Sequence, residues 1–197
     1  MPGQIKIDDG SGNYTVLTNG GSLGSDKTIT IPNTTGTMAL TSDITSGLTE
    51  ADEWILTANV TSSTVISSNL ARSSTSGVGS NMGTGMTVSS GIWTFPSTGF
   101  YLVTWTAFMQ NGGSGDFFLW CKGTTDNSTY NNLGYIITYD SQGVGYATNT
   151  NSIIFDVTDT SQCKIKFETT NYDSGDYLHG HSSQKKTGFS FIKLGDT

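Results

Sequence analysis

The chain has 197 residues, of which 13% are charged and 11% aromatic, with 25 glycines, three prolines and a formal net charge of −7. That size holds one good core and an extra segment, and the acidity excludes a protein that grips nucleic-acid backbone, which needs clustered Lys and Arg. No apolar run is long enough to span a bilayer, which excludes membrane insertion by a helix; the start, Met-Pro-Gly-Gln-Ile-Lys-Ile-Asp, lacks the apolar core of a signal peptide, so synthesis in a cytosol without ordinary secretion is expected.

Residues 1–48 contain neither tryptophan nor phenylalanine. Short alternating bursts occur at Gln4–Ile7, Tyr14–Leu17 and Thr28–Ile31, punctuated by Gly and Asn. Such a segment cannot bury a core alone. It reads as an extended, β-rich attachment or stem segment, either disordered or ordered by copies of itself and a docking partner. Residues 49–197 read as the head domain.

From Glu53 onward the bursts are longer and aromatic. Their alternation predicts strands at Glu53–Val60, Ile92–Phe95, Gly99–Met109, Asp116–Lys122, Tyr135–Tyr139, Ser152–Val157, Gln162–Thr169 and Gly188–Leu194. Short pieces near Val65 and Met86–Val88 add two more. No window carries helical periodicity over three turns. The fold class is therefore all-β, a sandwich or jelly roll of two antiparallel sheets.

The strands fall into two kinds. In Cys163–Glu168 the apolar Cys163, Ile165 and Phe167 alternate with Lys164, Lys166 and Glu168, which describes a strand with one wet face. In Gly99–Met109 both faces are apolar: Tyr101, Val103 and Trp105 on one, Phe100 and Leu102 on the other. Ile153–Phe155 and Phe189–Leu194, with Phe155, Phe189 and Phe191, share that character. Burying both faces takes one partner inside the subunit and one outside it. An outer, half-wet sheet and an inner sheet that oligomerises are expected, with Trp54, Trp93, Trp105 and Trp120 filling the core or the subunit interface. The two cysteines, Cys121 and Cys163, are too few for a disulfide framework or a zinc site, and read as buried thiols.

Phe95-Pro-Ser-Thr-Gly-Phe-Tyr-Leu-Val-Thr-Trp105 resembles the central signature of the complement globular-head and tumour-necrosis-factor-like jelly roll. The terminal Gly188-Phe-Ser-Phe-Ile-Lys-Leu194 is similar to that family's last strand. The resemblance covers residues 53–197 and implies a homotrimer whose inner sheet lines the three-fold interface. The expected interface residues are Phe100, Tyr101, Leu102, Val103, Trp105, Phe155, Phe189 and Phe191. The family topology also implies that Asn111–Gly115, Ser141–Gly145 and Asn171–Thr187 lie at the end far from the N-terminus. It sets Pro96–Gly99, Thr124–Asn132 and Thr158–Ser161 at the near end, and Cys121 and Cys163 on adjacent strands at similar height.

The segment Ser25–Asp43, with Thr-Ile-Thr-Ile-Pro leading to Gly-Thr-Met-Ala-Leu-Thr-Ser-Asp, is similar to parts of bacteriophage tail-fibre and appendage proteins. Together with Gly91-Ile-Trp-Thr-Phe-Pro96 it resembles virion proteins of marine phages. This implies a virion structural protein assembled in the host cytoplasm: a tail fibre, spike or appendage. Residues 1–48 would meet other virion proteins, and the far-end loops a host cell-surface glycan or protein. The alternatives are a capsid decoration or tail-joint protein without a receptor, and an enzyme that degrades polysaccharide.

The far-end loop holds the remaining candidates. Tyr172, Asp173, Asp176 and Tyr177 combine rings that stack on sugar faces with carboxylates that accept hydroxyl hydrogen bonds; the alternatives are a calcium loop or an ordinary polar turn. Lys185 and Lys186 read either as a solvated pair or as a patch steering toward anionic polymers. His179 and His181 point the same way if they share a strand. Three copies would then offer six imidazoles, enough for one octahedral transition metal on the three-fold axis; the alternative is a pair of solvated histidines. No nucleophile elbow, phosphate loop or His-Glu-X-X-His helix occurs, so no catalytic residue is assigned and a non-enzymatic role is expected.

Overall fold

A computed structural model describes residues 5–8, 10–12, 14–17, 47–73, 81–113, 115–140 and 144–197. The chain divides into two units, Met1–Ile44 and Thr45–Thr197. In the first, strands β1 (Ile5–Asp8) and β2 (Tyr14–Leu17) pair antiparallel, Ile5 opposite Leu17 and Asp8 opposite Tyr14. Gly10 and Gly12, at φ 81° and 89°, supply the left-handed backbone of the connection between them. The burst at Thr28–Ile31 and the segment Ser25–Asp43 lie outside the described residues.

The second unit holds β3 (Ala51–Leu56), β4 (Thr64–Val65), β5 (Leu70–Ala71), β6 (Thr87–Ser89), β7 (Ile92–Thr94) and β8 (Gly99–Asn111). These are followed by β9 (Gly115–Thr124), β10 (Asn131–Asp140), β11 (Gly145–Val157), β12 (Lys164–Thr170), β13 (Tyr177–Leu178) and β14 (Gly188–Gly195). One sheet runs β11-β8-β14-β3-β5, with β13 paired to β8; the other runs β10-β9-β12-β7-β6, with β4 paired to β12. All the pairings are antiparallel. This is the jelly roll, two antiparallel sheets face to face.

The core lies between the sheets and is aromatic. Strand β8 sends Tyr101, Val103, Trp105, Ala107 and Met109 inward, each no more than 1% exposed. They meet Phe95, Trp93, Phe167, Phe189 and Phe191. Ring centroids lie 4.3 Å apart for Phe167–Phe189, 4.8 Å for Phe95–Tyr101 and 5.0 Å for Trp93–Phe191. Each such side chain contributes about 1.5–3 kcal/mol by burial, and each ring pair about 0.5–1.5 kcal/mol more.

This packing corrects the expected interface. Tyr101, Val103, Trp105, Phe155, Phe189 and Phe191 belong to the expected sheet, but all six face the core of their own subunit. Only Phe100 and Leu102 of the set face the other way. Alternation separates the two faces of a strand but does not say which is the core; the opposing sheet decides it by offering Trp93, Ile165 and Phe167.

Other boundaries shift for local reasons. Strand β11 begins at Gly145, seven residues before the expected Ser152, because its polar half pairs with β8 from Asn111 to Trp105. That half is an edge with little apolar burial, so its sequence carries no strand signal. Lys164 is buried, only 9% exposed, its ammonium donating to Thr160 O at 2.6 Å and Thr94 Oγ1 at 3.1 Å, instead of being wet. Cys121 pairs in register with Phe167, so Cys163, four residues earlier in the chain, sits at a different height. Four residues of strand are about 13 Å, beyond disulfide reach. Both thiols are buried and free, and burial pushes the Cys121 thiol well up.

Strand directions set the two ends. The connections at 111–115 and 171–187 lie at one end, and those at 96–99, 124–131 and 158–163 at the other, where β3 begins. Residues 141–143 of the third far-end loop lie outside the described residues.

Candidate functional site

The outward face of the β11-β8-β14 sheet is built in three bands. Near the N-terminal end, Ile154, Leu102 and Ile192 stand in one cross-strand row. Phe100, Ile154 and Leu194 there are 40%, 65% and 51% exposed. The middle band is hydroxyl-lined: Thr104 lies opposite Ser152 and Ser190, and Thr106 Oγ1 meets Thr150 Oγ1 at 2.8 Å. The far band is aromatic, comprising Phe108, Tyr146, Tyr177 and His179.

His179 is held flat in that far band. Its amide donates to Phe108 O at 2.9 Å, and its ring stacks 4.7 Å from Phe108 and 5.7 Å from Tyr177. Its Nε2 is buried without a hydrogen-bond partner among the described residues. Burial first, and then the charge of Lys186, hold its pKa below the ordinary 6.5.

The two histidines do not share a strand. Strand β13 ends at Leu178, and the amide of His181 donates to Leu56 O, on β3 instead of β8. Its Nδ1 accepts from the Ser183 amide at 3.1 Å. Among the described residues no group of three or more His, Cys, Asp or Glu is placed to hold a metal ion within one chain.

The rest of the far-end loop is largely structural. Asp176 is 1% exposed and accepts from the amides of Gly112 and Asp173. Tyr172 packs edge-on against Phe117. Lys185 pairs with Glu53 at 2.7 Å, and Lys186 reaches over the Phe108 ring at 5.8 Å. The loop folds back onto its own sheet, so Asp176, Lys185 and Lys186 find partners there. Of the expected receptor residues, Asp173 is the exposed carboxylate, and Tyr172 and Tyr177 are half-exposed rings.

The outward face of the other sheet holds a feature that alternation alone did not isolate. Phe118 and Trp120 of β9 and Tyr135 of β10 form a cluster of three rings. Trp120 is thus on the surface and not in the core or at the inner-sheet interface. The signal is present in Phe117-Phe118-Leu119-Trp120, apolar on both faces, with Trp120 opposite Tyr135 and Phe118 opposite Ile137.

No protein-family model and no curated protein matches the chain. Among solved structures, murine APRIL at pH 5.0 is 14% identical, with a TM-score of 0.54, covering 74% of this chain and 98% of that one. Murine APRIL at pH 8.5 is 13% identical, with a TM-score of 0.53 and the same coverage. At such identity the likeness shows the fold, a tumour-necrosis-factor-like jelly roll.

Proposed function

We propose that the head forms a homotrimer through the outward face of the β11-β8-β14 sheet, and that the trimer is a non-enzymatic virion protein: a phage tail fibre, spike or appendage that contacts the host surface. The observation that carries the assembly is the row Ile154–Leu102–Ile192, flanked by Phe100 and Leu194: in the single chain Ile154, Phe100 and Leu194 are exposed, and Leu102 and Ile192 half-exposed. A contiguous apolar patch in a protein with so few charges marks an interface. The jelly-roll fold is compatible with three-fold packing of this sheet.

The virion assignment rests on the likeness of Ser25–Asp43 to phage appendage segments, with residues 1–48 joining other virion proteins after assembly in the host cytoplasm. Contact with the host would be weak per head and strengthened by repetition. The alternative within the same assembly is a decoration or joint protein with no receptor; the buried Asp176 and the paired Lys185 favour it for the far-end loop.

The test is the solution mass of the full chain by light scattering, followed by competition. A mass near three chains, with purified trimer blocking adsorption of the parent particle, supports the proposal. A stable single chain at micromolar concentration overturns the assembly. A trimer that never competes moves the assignment to the decoration reading.

A further inference from the structure

We infer that Phe118, Trp120 and Tyr135 form a binding site for neutral hexopyranose units of a surface glycan. The inference rests on the proposed contact with a cell surface, and moves that contact from the far-end loop to the outward face of the second sheet.

These rings stand on strand positions where alternation calls for polar residues. Centroids lie 4.7 Å apart for Trp120–Tyr135, and 5.5 Å for both Phe118–Trp120 and Phe118–Tyr135. Trp120 is fixed by its indole Nε1, which donates to Thr170 Oγ1 at 3.0 Å. Tyr135 is 47% exposed, and Tyr139 on the same face 64%. The surface therefore offers pre-set aromatic faces at little ordering cost on binding.

What surrounds the rings selects the occupant. Glu168 bridges Lys122 at 3.0 Å and Lys166 at 3.5 Å, and Lys166 lies over the Tyr130 ring at 4.8 Å. Asp116 completes the face beside Tyr139. Lys122 and Lys166 are both engaged by Glu168, and Lys164, further along the same face, is buried against Thr160 and Thr94, so with Asp116 the face concentrates no charge of either sign for a polyanion or a polycation. The mixture of donors and acceptors beside aromatic faces instead suits a neutral, hydroxyl-rich ring, whose C–H face stacks while its hydroxyls bond to Lys122, Glu168 and Thr170. An assembly through the opposite sheet leaves this face outermost on every copy, which is the geometry multivalent capture requires.

The competing account is that the rings merely strengthen the pairing of β9 with β10, as cross-strand aromatic pairs do. Full-length ¹⁵N-labelled protein separates the two. Its four tryptophans give four indole N–H signals, and that of Trp120 is assigned by its loss in Trp120→Phe. Maltohexaose, cellohexaose, laminarihexaose and mannohexaose are then titrated to millimolar concentration. The expected result is that at least one shifts the Trp120 signal while those of Trp93 and Trp105 stay fixed. Tyr135→Ala and Lys122→Ala should each weaken that binding by about threefold to tenfold, the range one stacking or polar contact supplies. Their folding is checked by unchanged Trp93 and Trp105 signals.

Absence of any shift with all four sugars overturns the inference. So does equal binding by both variants, or a Trp120 shift that depends on protein concentration alone, which would mean a second copy covers the face. The solution mass is read independently. A trimer that ignores sugars loses this site and keeps its assembly, whereas a single chain that binds them does the reverse.

Discussion

The carboxylate of Asp176 accepts a hydrogen bond from the amide of Gly112 at 2.9 Å, 64 residues away in the chain. Its second oxygen accepts from the Asp173 amide at 2.8 Å, so one buried side chain ties the far-end loop after β8 to the one after β12. Gly112 approaches Gly175 so closely that a Cβ on it would strike the Gly175 backbone. Asp176→Ala is expected to lower stability by about 1–3 kcal/mol, the cost of leaving buried amides unpaired. Asp173→Ala should be near neutral, because that side chain is exposed. Denaturant titration of the two variants checks the contrast.

Adjacent residues on β8 should respond in opposite ways to the same change. Leu102→Asp places a charge on the outward row and is expected to reduce the solution mass from three chains to one, with circular dichroism unchanged. Val103→Asp buries an unpaired carboxylate at a position that is 0% exposed. Its cost is comparable with the whole stability of a domain, about 5–15 kcal/mol, so it should not fold. If Leu102→Asp remains trimeric, the outward row is not the interface.

Asp52 is 4% exposed and receives Arg72 Nε at 2.8 Å, Arg72 Nη2 at 2.7 Å, Trp54 Nε1 at 2.9 Å and the Met86 amide at 2.7 Å. The guanidinium also lies 4.6 Å from the Trp54 ring centroid. Arg72→Ala strands a buried carboxylate and is expected to cost about 3 kcal/mol, the low end for a broken buried pair because two neutral donors remain. Arg72→Lys should recover only part, since Lys lacks the two-pronged donor. Thermal melts of the three proteins give the order.

His179 should give the protein a mild acid sensitivity. Its folded pKa lies below the ordinary 6.5, so the unfolded chain takes up the proton first as the pH falls. Stability is therefore expected to decline between about pH 7 and pH 5. His179→Phe should flatten that slope while keeping the ring contacts with Phe108, Tyr146 and Tyr177. Lys186 is the charged group against the imidazole, and Lys186→Met should raise the histidine pKa, as read by NMR titration. Asp159 and Asp196 are held below their ordinary 3.8 by hydrogen bonds from Ser161 and Lys193, so what they contribute fades only in stronger acid.

Much of the jelly roll was legible because alternation is a local property. The run from Phe100 to Trp105 and the run from Phe189 to Leu194 each announced a strand with two apolar faces, and both lie side by side in one sheet. The polar half of β11 was not legible, because an edge strand owes its conformation to the β8 ladder and not to burial. Nor was β13, a two-residue strand inside a loop, held by Gln110 and Met109 of β8.

The sequence by itself determined the parity of each strand, which residues travel together on a face, since successive side chains point opposite ways whatever surrounds them. Only the tertiary structure decided which parity is core. It turned Tyr101, Val103 and Trp105 inward, left Leu102 half-exposed and Ile154 in water, and brought Trp120 to the surface beside Tyr135. It also decided which charges are free. Lys185 reads as a solvated lysine until Glu53, 132 residues earlier, is brought to 2.7 Å, and Asp176 reads as a loop carboxylate until Gly112 arrives. Parity is fixed by bond geometry within a few residues, whereas burial and pairing are fixed by partners that only the folded chain brings near.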